Sequence, residues 1–181
     1  MRKLFGTLRH HSTSPARGYG ETELAQISRL YDVEITGDFR LFLMEAGRTS
    51  GCALGEGAFG LELLFFPYCS SDVRFQVLGQ YHLREDLLNL AFAEMKAQEQ
   101  YDISKTKMNE FVESKPFFLS CENQTQYFFV PTADGGDVVH RFDENSGNVI
   151  RSEFRLQDYL ERILVPTEPL GRIWCGELLV P

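Results

Sequence analysis

The chain lacks the cysteine and histidine patterns that hold metal ions or build disulfide scaffolds. Its cysteines are widely spread along the sequence, at Cys52, Cys69, Cys121 and Cys175. No two of them have the short spacing of a metal-binding or redox pair, and no histidine stands near them in a ligand pattern. We therefore predict reduced thiols in a cytoplasmic protein, with no metal and no cofactor.

A long apolar run is missing as well. No stretch reaches the roughly 18 consecutive apolar residues that a membrane helix needs. The N-terminal segment is basic, but it has neither the apolar middle nor the small-residue cleavage site of a secretion signal. These absences predict a protein that has no membrane partner.

Basic residues are scarce beyond the first 20 positions. Residues 1–20 hold four of the 18 basic side chains and none of the 26 acidic ones, which leaves 14 basic against 26 acidic residues in the rest. Binding to a phosphate backbone needs clustered Lys and Arg, so we predict no nucleic-acid partner. An acidic body can attract a basic protein by its field, although most acidic proteins are simply soluble.

Motifs of catalysis are absent too. Residues 55–60 match GxGxxG, but no strand precedes them and Glu56 would repel a phosphate. Residues 143–148 open like a calcium loop but lack its sixth-position glycine, and a hairpin turn explains them better. His140 alternates with apolar neighbours, which favours a half-buried histidine over a catalytic one. We predict that the protein is not an enzyme.

Residues 117–164 carry the clearest structural pattern. Runs of aromatic and β-branched residues are separated by turn signals at 134–137 and 145–148. The side chains alternate within each run, which is typical of antiparallel strands with one face exposed to water. Apolar residues then recur at helical spacing over 156–164. The stretch predicts an antiparallel meander followed by a helix.

Helices are predicted upstream of the meander. Apolar spacing predicts a first helix over Glu21 to Tyr31 and a second that starts at Asp38 as its N-cap and ends at Gly47. A strand is predicted over 61–66 and a long helix over 83–98. Together these elements predict one α+β domain at 21–164, a mainly antiparallel sheet with helices packed on one side. Residues 1–20 are predicted to form a flexible basic leader, and residues 165–181 a C-terminal extension.

The order of the elements resembles the SUKH superfamily, the SMI/KNR type of domain. The family's early motif is roughly Leu-Pro-x-Asp-Tyr-x-x-Phe-Leu followed by Asn-Gly-Gly, and residues 35–43 with Ala46 and Gly47 resemble it. Thr36 stands in place of the family proline. The turn at 134–136, the strand at 138–142 and the helix at 156–160 resemble the family's later pattern.

The resemblance implies an α+β fold and a function by binding. Many bacterial members resemble immunity proteins that neutralise nuclease or deaminase toxins, and eukaryotic relatives act as scaffolds in cell-wall signalling. No catalytic residue is implied. Together with the acidic body, this gives our leading hypothesis, a cytoplasmic immunity protein that covers a basic toxin domain.

The predicted partner-binding residues are loop carboxylates, namely Asp134, Asp137, Asp143, Glu144 and Glu56. Solvated loop carboxylates with no partner are the competing interpretation. The alternatives for function are a regulatory or scaffold module and a small-ligand-binding domain. The extension at 165–181 is predicted either to pack back over the domain or to reach the other subunit of a dimer.

Overall fold

The computed structural model describes residues 16–48, 61–64, 73–97, 111–134 and 137–163. The predictions for residues 1–15 of the leader, for Glu56 with its glycine-rich loop, and for the extension at 165–181 therefore lie outside the described residues. The elements are α1 (Glu21–Tyr31), α2 (Gly37–Ala46), β1 (Leu61–Leu63), α3 (Val73–Ala97), β2 (Pro116–Glu122), β3 (Gln126–Pro131), a 3-10 turn (Thr132–Asp134), β4 (Val138–Asp143), β5 (Asn148–Arg155) and α4 (Leu156–Arg162).

The strands form one antiparallel sheet in the order β1-β2-β3-β4-β5. Strands β2 to β5 follow each other as neighbours, so the predicted meander and the α+β fold class are confirmed. Glycine supplies the turn between β4 and β5, because Gly147 has a φ of +64°. The first predicted helix is confirmed at both of its ends.

Both faces of the sheet are buried over most of β2 and β3, so the water-exposed face predicted for these strands is wrong. One face packs against α1, α2 and α4 through Phe117, Leu119, Phe128, Val130 and Val139. The opposite face packs against α3 and the helical turn at 111–113 through Phe118, Phe129 and Phe142. The helices thus cover two faces rather than the predicted one. This explains why residues 116–121 of β2 are all buried.

Helix α3 is longer than predicted, since it begins at Val73 rather than Leu83. Residues 73–78 form its first turns. Val73 and Val77 pack in the first core cluster, whereas Leu87 packs in the second. One helix therefore contributes to both faces of the sheet.

Gln80 joins the middle of α3 to the edge of β2. Its side chain is 2% exposed. Its Oε1 accepts a hydrogen bond from the N–H of Phe118 at 2.7 Å, and its Nε2 donates to the carbonyl of Phe118 at 3.0 Å. Nε2 also lies 3.2 Å from the carbonyl oxygen of Leu64. The carboxamide thus pairs with β2 as a strand's peptide group would, just beyond the end of β1.

The N-terminus of α2 is capped from a distant part of the chain. The predicted N-cap Asp38 is wrong, because the helix begins at Gly37 and Thr36 occupies the N-cap without a capping side chain. Asp137 supplies the missing acceptor, since its Oδ1 lies 3.1 Å from the N–H of Asp38. Gly37 has a φ of +54° and leaves room for that carboxylate. Sequence neighbours therefore could not reveal this cap.

Candidate functional site

The four predicted acidic residues of the meander lie at opposite ends of β4. Asp137 precedes the strand and Asp143 ends it, which places them about 20 Å apart at roughly 3.3 Å per residue. Asp134 ends the 3-10 turn on the Asp137 side, and Glu144 follows Asp143. The structure therefore divides these residues into two pairs and does not bring all four together.

Asp137 is engaged within the fold, although its side chain is exposed. Its carboxylate caps α2, and its carbonyl accepts a hydrogen bond from the N–H of Leu156 at 3.0 Å. A carboxylate at a helix N-terminus also interacts favourably with the helix dipole. These contacts connect the start of β4 to both α2 and α4, which gives Asp137 a structural role.

Asp143 shapes the turn that presents Glu144. Its Oδ1 accepts from the N–H of Asn145 at 3.1 Å, and its carbonyl accepts from the N–H of Gly147 at 2.8 Å. The N–H of Glu144 donates to the carbonyl of Thr125 at 2.9 Å. This bond joins the β4–β5 turn to the β2–β3 turn. The Glu144 carboxylate is therefore held beside the start of β3.

An open cleft lies between α3 and the start of β3. It has a volume of about 540 Å³, and the described residues that line it are Leu83, Asp86, Leu87, Asn89 and Tyr127. We call it the α3–β3 cleft. Leu87 is 1% exposed and belongs to the second core cluster, so the cleft has an apolar bottom. Tyr127 connects the cleft to Glu144, because its hydroxyl donates to Glu144 Oε2 at 3.3 Å.

The described lining of the cleft carries negative charge. Asp86 lies on its α3 side, the Glu144 carboxylate is bound to Tyr127, and no described residue lining the cleft is basic. Arg84, although close in sequence to Asp86, is occupied by the rings of Tyr81 and Tyr31, with its Cζ 4.9 and 5.6 Å from their centroids. The cleft therefore combines an apolar bottom with one carboxylate in its described lining, and a second carboxylate bonds the tyrosine that lines it.

The Tyr127 hydroxyl acts as a neutral hydrogen-bond donor. Burial raises the pKa of Tyr127 well above its usual range, and the neighbouring Cys121 and Glu144 raise it further. The phenol is protonated at neutral pH, as an ordinary tyrosine is, and the raised pKa keeps it protonated at more alkaline pH as well. His140 lies in contact with the ring of Phe129 and is not among the described residues that line the cleft. The arrangement suits the binding of a cation with a hydrogen-bonding neighbour.

No protein-family model, curated protein or solved structure matches the chain. The resemblance to the SUKH superfamily therefore stays a prediction. Within the described parts of the chain, no helix combines the length and apolarity needed to cross a membrane. Those same parts hold no group of three or more His, Cys, Asp or Glu side chains placed to bind a metal ion.

Sequence reasoning missed Asp86 and Tyr127 as members of the site. Asp86 borders the apolar side of α3 that carries Leu83 and Leu87. A carboxylate at the border of an apolar helix face was the signal in the sequence that could have identified it. Tyr127 gave no separate signal, because its place in the strand alternation already explains it. Only the pairing of β3 with the rest of the sheet brings its hydroxyl to Glu144.

Proposed function

We propose that the protein is a non-catalytic protein-binding domain, an immunity protein of SUKH type that acts in the cytoplasm and neutralises a basic toxin of nuclease or deaminase type. The observation that carries the proposal is the acidic α3–β3 cleft. Its described lining offers carboxylate and amide groups above an apolar bottom, with no basic residue. An acidic body outside residues 1–20 supplies the wider field.

The cleft fits the side chain of a lysine or arginine. Such a side chain can lay its alkyl stem on Leu83 and Leu87 and present its charged head to Asp86. Glu144 is bound to the hydroxyl of Tyr127, and Tyr127 lines the cleft. Charge-assisted hydrogen bonds of this kind are about twice as strong as neutral ones. A toxin that holds a polyanion must carry such cations near its active centre, and an acidic inhibitor can cover them.

Under this proposal the predicted acidic residues have different roles. Glu144 bonds Tyr127, which lines the cleft, and Asp143 shapes the same turn, so both remain proposed partner-binding residues. Asp137 caps α2 at the other end of β4. Asp134 lies on that other end too, and Glu56 lies outside the described residues; both remain predictions.

A small-ligand-binding module is the second candidate. The cleft volume of about 540 Å³ falls within the roughly 300–1,000 Å³ of small-molecule sites. A ligand with a cationic group would use the same carboxylates. The scaffold alternative also predicts a protein partner on this surface. The two functions differ in what the partner does, because an immunity protein inhibits a toxic enzyme and a scaffold does not.

The test compares two double variants with the same change in net charge. Asp86→Lys with Glu144→Lys reverses the cleft, whereas Glu34→Lys with Glu113→Lys reverses exposed carboxylates elsewhere. Partners are captured by the tagged wild-type protein from lysate of its native cells, identified, purified and titrated by calorimetry at low and moderate salt. We expect the cleft variant to weaken binding about 100-fold or more and the control about threefold or less.

Three outcomes decide between the candidates. A basic, salt-sensitive partner whose nuclease or deaminase activity is inhibited by the wild type, but not by the cleft variant, supports the immunity function. Equal weakening by both double variants shows that only net charge matters and overturns the assignment of the cleft. No protein partner, together with thermal stabilisation by a small cation that Asp86→Lys abolishes, favours the ligand-binding module.

A further inference from the structure

The two edges of the sheet differ in how they are protected. The described part of β1 is three residues long, whereas β5 at the opposite edge has eight, more than any other strand of the sheet. Among the described residues, β5 pairs with β4 alone. Its sequence contains neither proline nor lysine, although Arg151, Glu153 and Arg155 are charged and a bulge lies between Arg151 and Arg155. The outer side of β5 therefore offers backbone groups to another strand.

The side chains of β5 carry a self-complementary pattern. Ile150 is 42% exposed, and Phe154 is half-buried against Tyr159 on the first face of the sheet. Ile150 is paired with Arg141, which lies on the same face as Val139 of the first core cluster, and Phe154 packs against that cluster too. Arg151 and Glu153, both exposed, alternate onto the other face. Each face of the edge thus carries a pair of residues that can meet across a symmetric strand pair.

We propose that β5 pairs with β5 of a second copy of this chain, antiparallel about a two-fold axis at Ser152. This register sets Arg151 opposite Glu153 of the second copy, and the symmetry repeats the ion pair. It sets Ile150 opposite Phe154 in the same way, on the opposite face. Cross-strand pairs of opposite charge and of apolar side chains stabilise antiparallel sheets. The five-stranded sheet continues into that of the second copy.

The charged residues of β5 favour this register over registers with the two-fold axis at a neighbouring residue. An axis at Glu153 would set the two Glu153 side chains against each other and Arg151 against Arg155. An axis at Arg151 would set arginine against arginine. An axis at Phe154 would restore opposite charges but shorten the overlap within β5 to residues 153–155. The axis at Ser152 keeps residues 149–155 paired and every charge of Arg151 and Glu153 matched.

The bulge in β5 does not use up the outer edge. The pairing of β4 with β5 shifts register between Val138 and His140. Ser152 Oγ donates to the carbonyl of Val139 at 2.7 Å and accepts from the N–H of Phe154 at 3.2 Å. The polar groups of the bulge are thus satisfied inside the chain. Since only residues 149–155 pair, we expect a dimer that dissociates on dilution.

The experiment is sedimentation velocity of the full chain over a wide concentration range. We expect the wild type to reach the mass of a dimer as concentration rises. Glu153→Arg and Arg151→Glu should each raise the dissociation constant about tenfold or more, because like charges then face each other. Arg151→Glu combined with Glu153→Arg should restore the dimer, because the exchange keeps opposite charges facing. Glu34→Arg, with the same charge change as Glu153→Arg, should leave association unchanged.

Deuterium exchange of the wild type gives an independent readout. Amides within 149–155 should gain protection as concentration rises, while those of β1 should not. A wild type that stays monomeric at every concentration overturns the proposal. So does a dimer that the single charge reversals leave intact, or an exchanged-charge variant that is folded by circular dichroism and still monomeric.

Discussion

Replacing Gln80 by leucine should remove three hydrogen bonds at once and leave β2 with unsatisfied backbone groups. The carboxamide of Gln80 bonds the N–H and the carbonyl of Phe118, and also the carbonyl of Leu64. Phe118 is fully buried, so water cannot replace these partners without opening the core. Because leucine has nearly the same size as glutamine, the variant removes the polar groups with little change in side-chain volume.

The expected cost follows from the number of groups left without partners. A buried backbone donor or acceptor that loses its partner costs about 1–3 kcal/mol. The two groups of Phe118 therefore give about 2–6 kcal/mol, and the added apolar burial of leucine returns about 1 kcal/mol. We expect the free energy of unfolding to fall by about 3 kcal/mol, a large share of the roughly 5–15 kcal/mol of a typical domain.

Gln80→Glu adds a pH dependence to the same prediction. A protonated glutamic acid can donate one bond and accept another, whereas a carboxylate cannot donate to the carbonyl of Phe118. Burial would raise the pKa of this carboxyl in the folded state above its unfolded value. The variant should then be most stable at pH below the unfolded pKa of about 4.3 and lose stability as pH rises through the folded pKa.

The assay is urea unfolding at several pH values, followed by far-ultraviolet circular dichroism. His82→Leu and His82→Glu are the controls, since His82 lies exposed on the same helix. Amide exchange of Phe118 by NMR reports the lost bond directly and should accelerate in Gln80→Leu. A loss below about 1 kcal/mol in Gln80→Leu, or a Gln80→Glu variant whose stability rises with pH, would refute the reasoning.

Two further predictions concern the glycine at the start of the described chain and the buried tyrosines. Gly18→Ala would place a Cβ 1.8 Å from the carbonyl oxygen of Met44, so residues 16–19 must move away from α2. We expect the melting temperature to fall by several degrees or more. Gly20→Ala is the control and should be nearly neutral, because its Cβ would lie 3.7 Å from the nearest atom. Burial raises the pKa of Tyr19 to about 12, and burial also raises the pKa of Tyr31 and Tyr159. Since a raised pKa means that ionisation favours the unfolded chain, the contribution of these tyrosines to stability should be constant up to about pH 10 and be lost as pH approaches 12, with tyrosinate absorbance appearing together with unfolding. Normal titration of every tyrosine in a still folded protein would contradict this.

Local signals account for the parts of the fold that could be predicted from the sequence. Helical spacing located α1, and the glycine at 147 together with strand alternation located the β4–β5 hairpin, because both depend on residues close in sequence. The N-cap of α2 was misplaced because its acceptor comes from Asp137, 99 residues away. The extent of α3 was underestimated because its first turns pack on one face of the sheet and its middle on the other.

The candidate site was only partly predictable for the same reason. Asp143 and Glu144 were identified as turn carboxylates from the sequence, and Glu144 bonds Tyr127, which lines the cleft. The contribution of Asp86 and Tyr127 depends on how α3 lies across the second face of the sheet, which no spacing in the sequence encodes. The separation of Asp137 from Glu144 depends on the length and direction of β4. The sequence predicted that strand, but the acidic residues were grouped as turn residues without regard to the end of the strand on which each turn lies.

The burial of both sheet faces bears on how the chain can be made in the cell. Strands β2 and β3 would be prone to aggregate while uncovered, since aromatic and aliphatic residues point to both of their faces. Of the helices that cover them, α1, α2 and α3 precede β2 in the chain, whereas α4 follows β5. Synthesis from the N-terminus therefore delivers three of the covering helices before the strands. A circular permutant in which β2 is synthesised first should retain the same final packing but give a lower soluble yield.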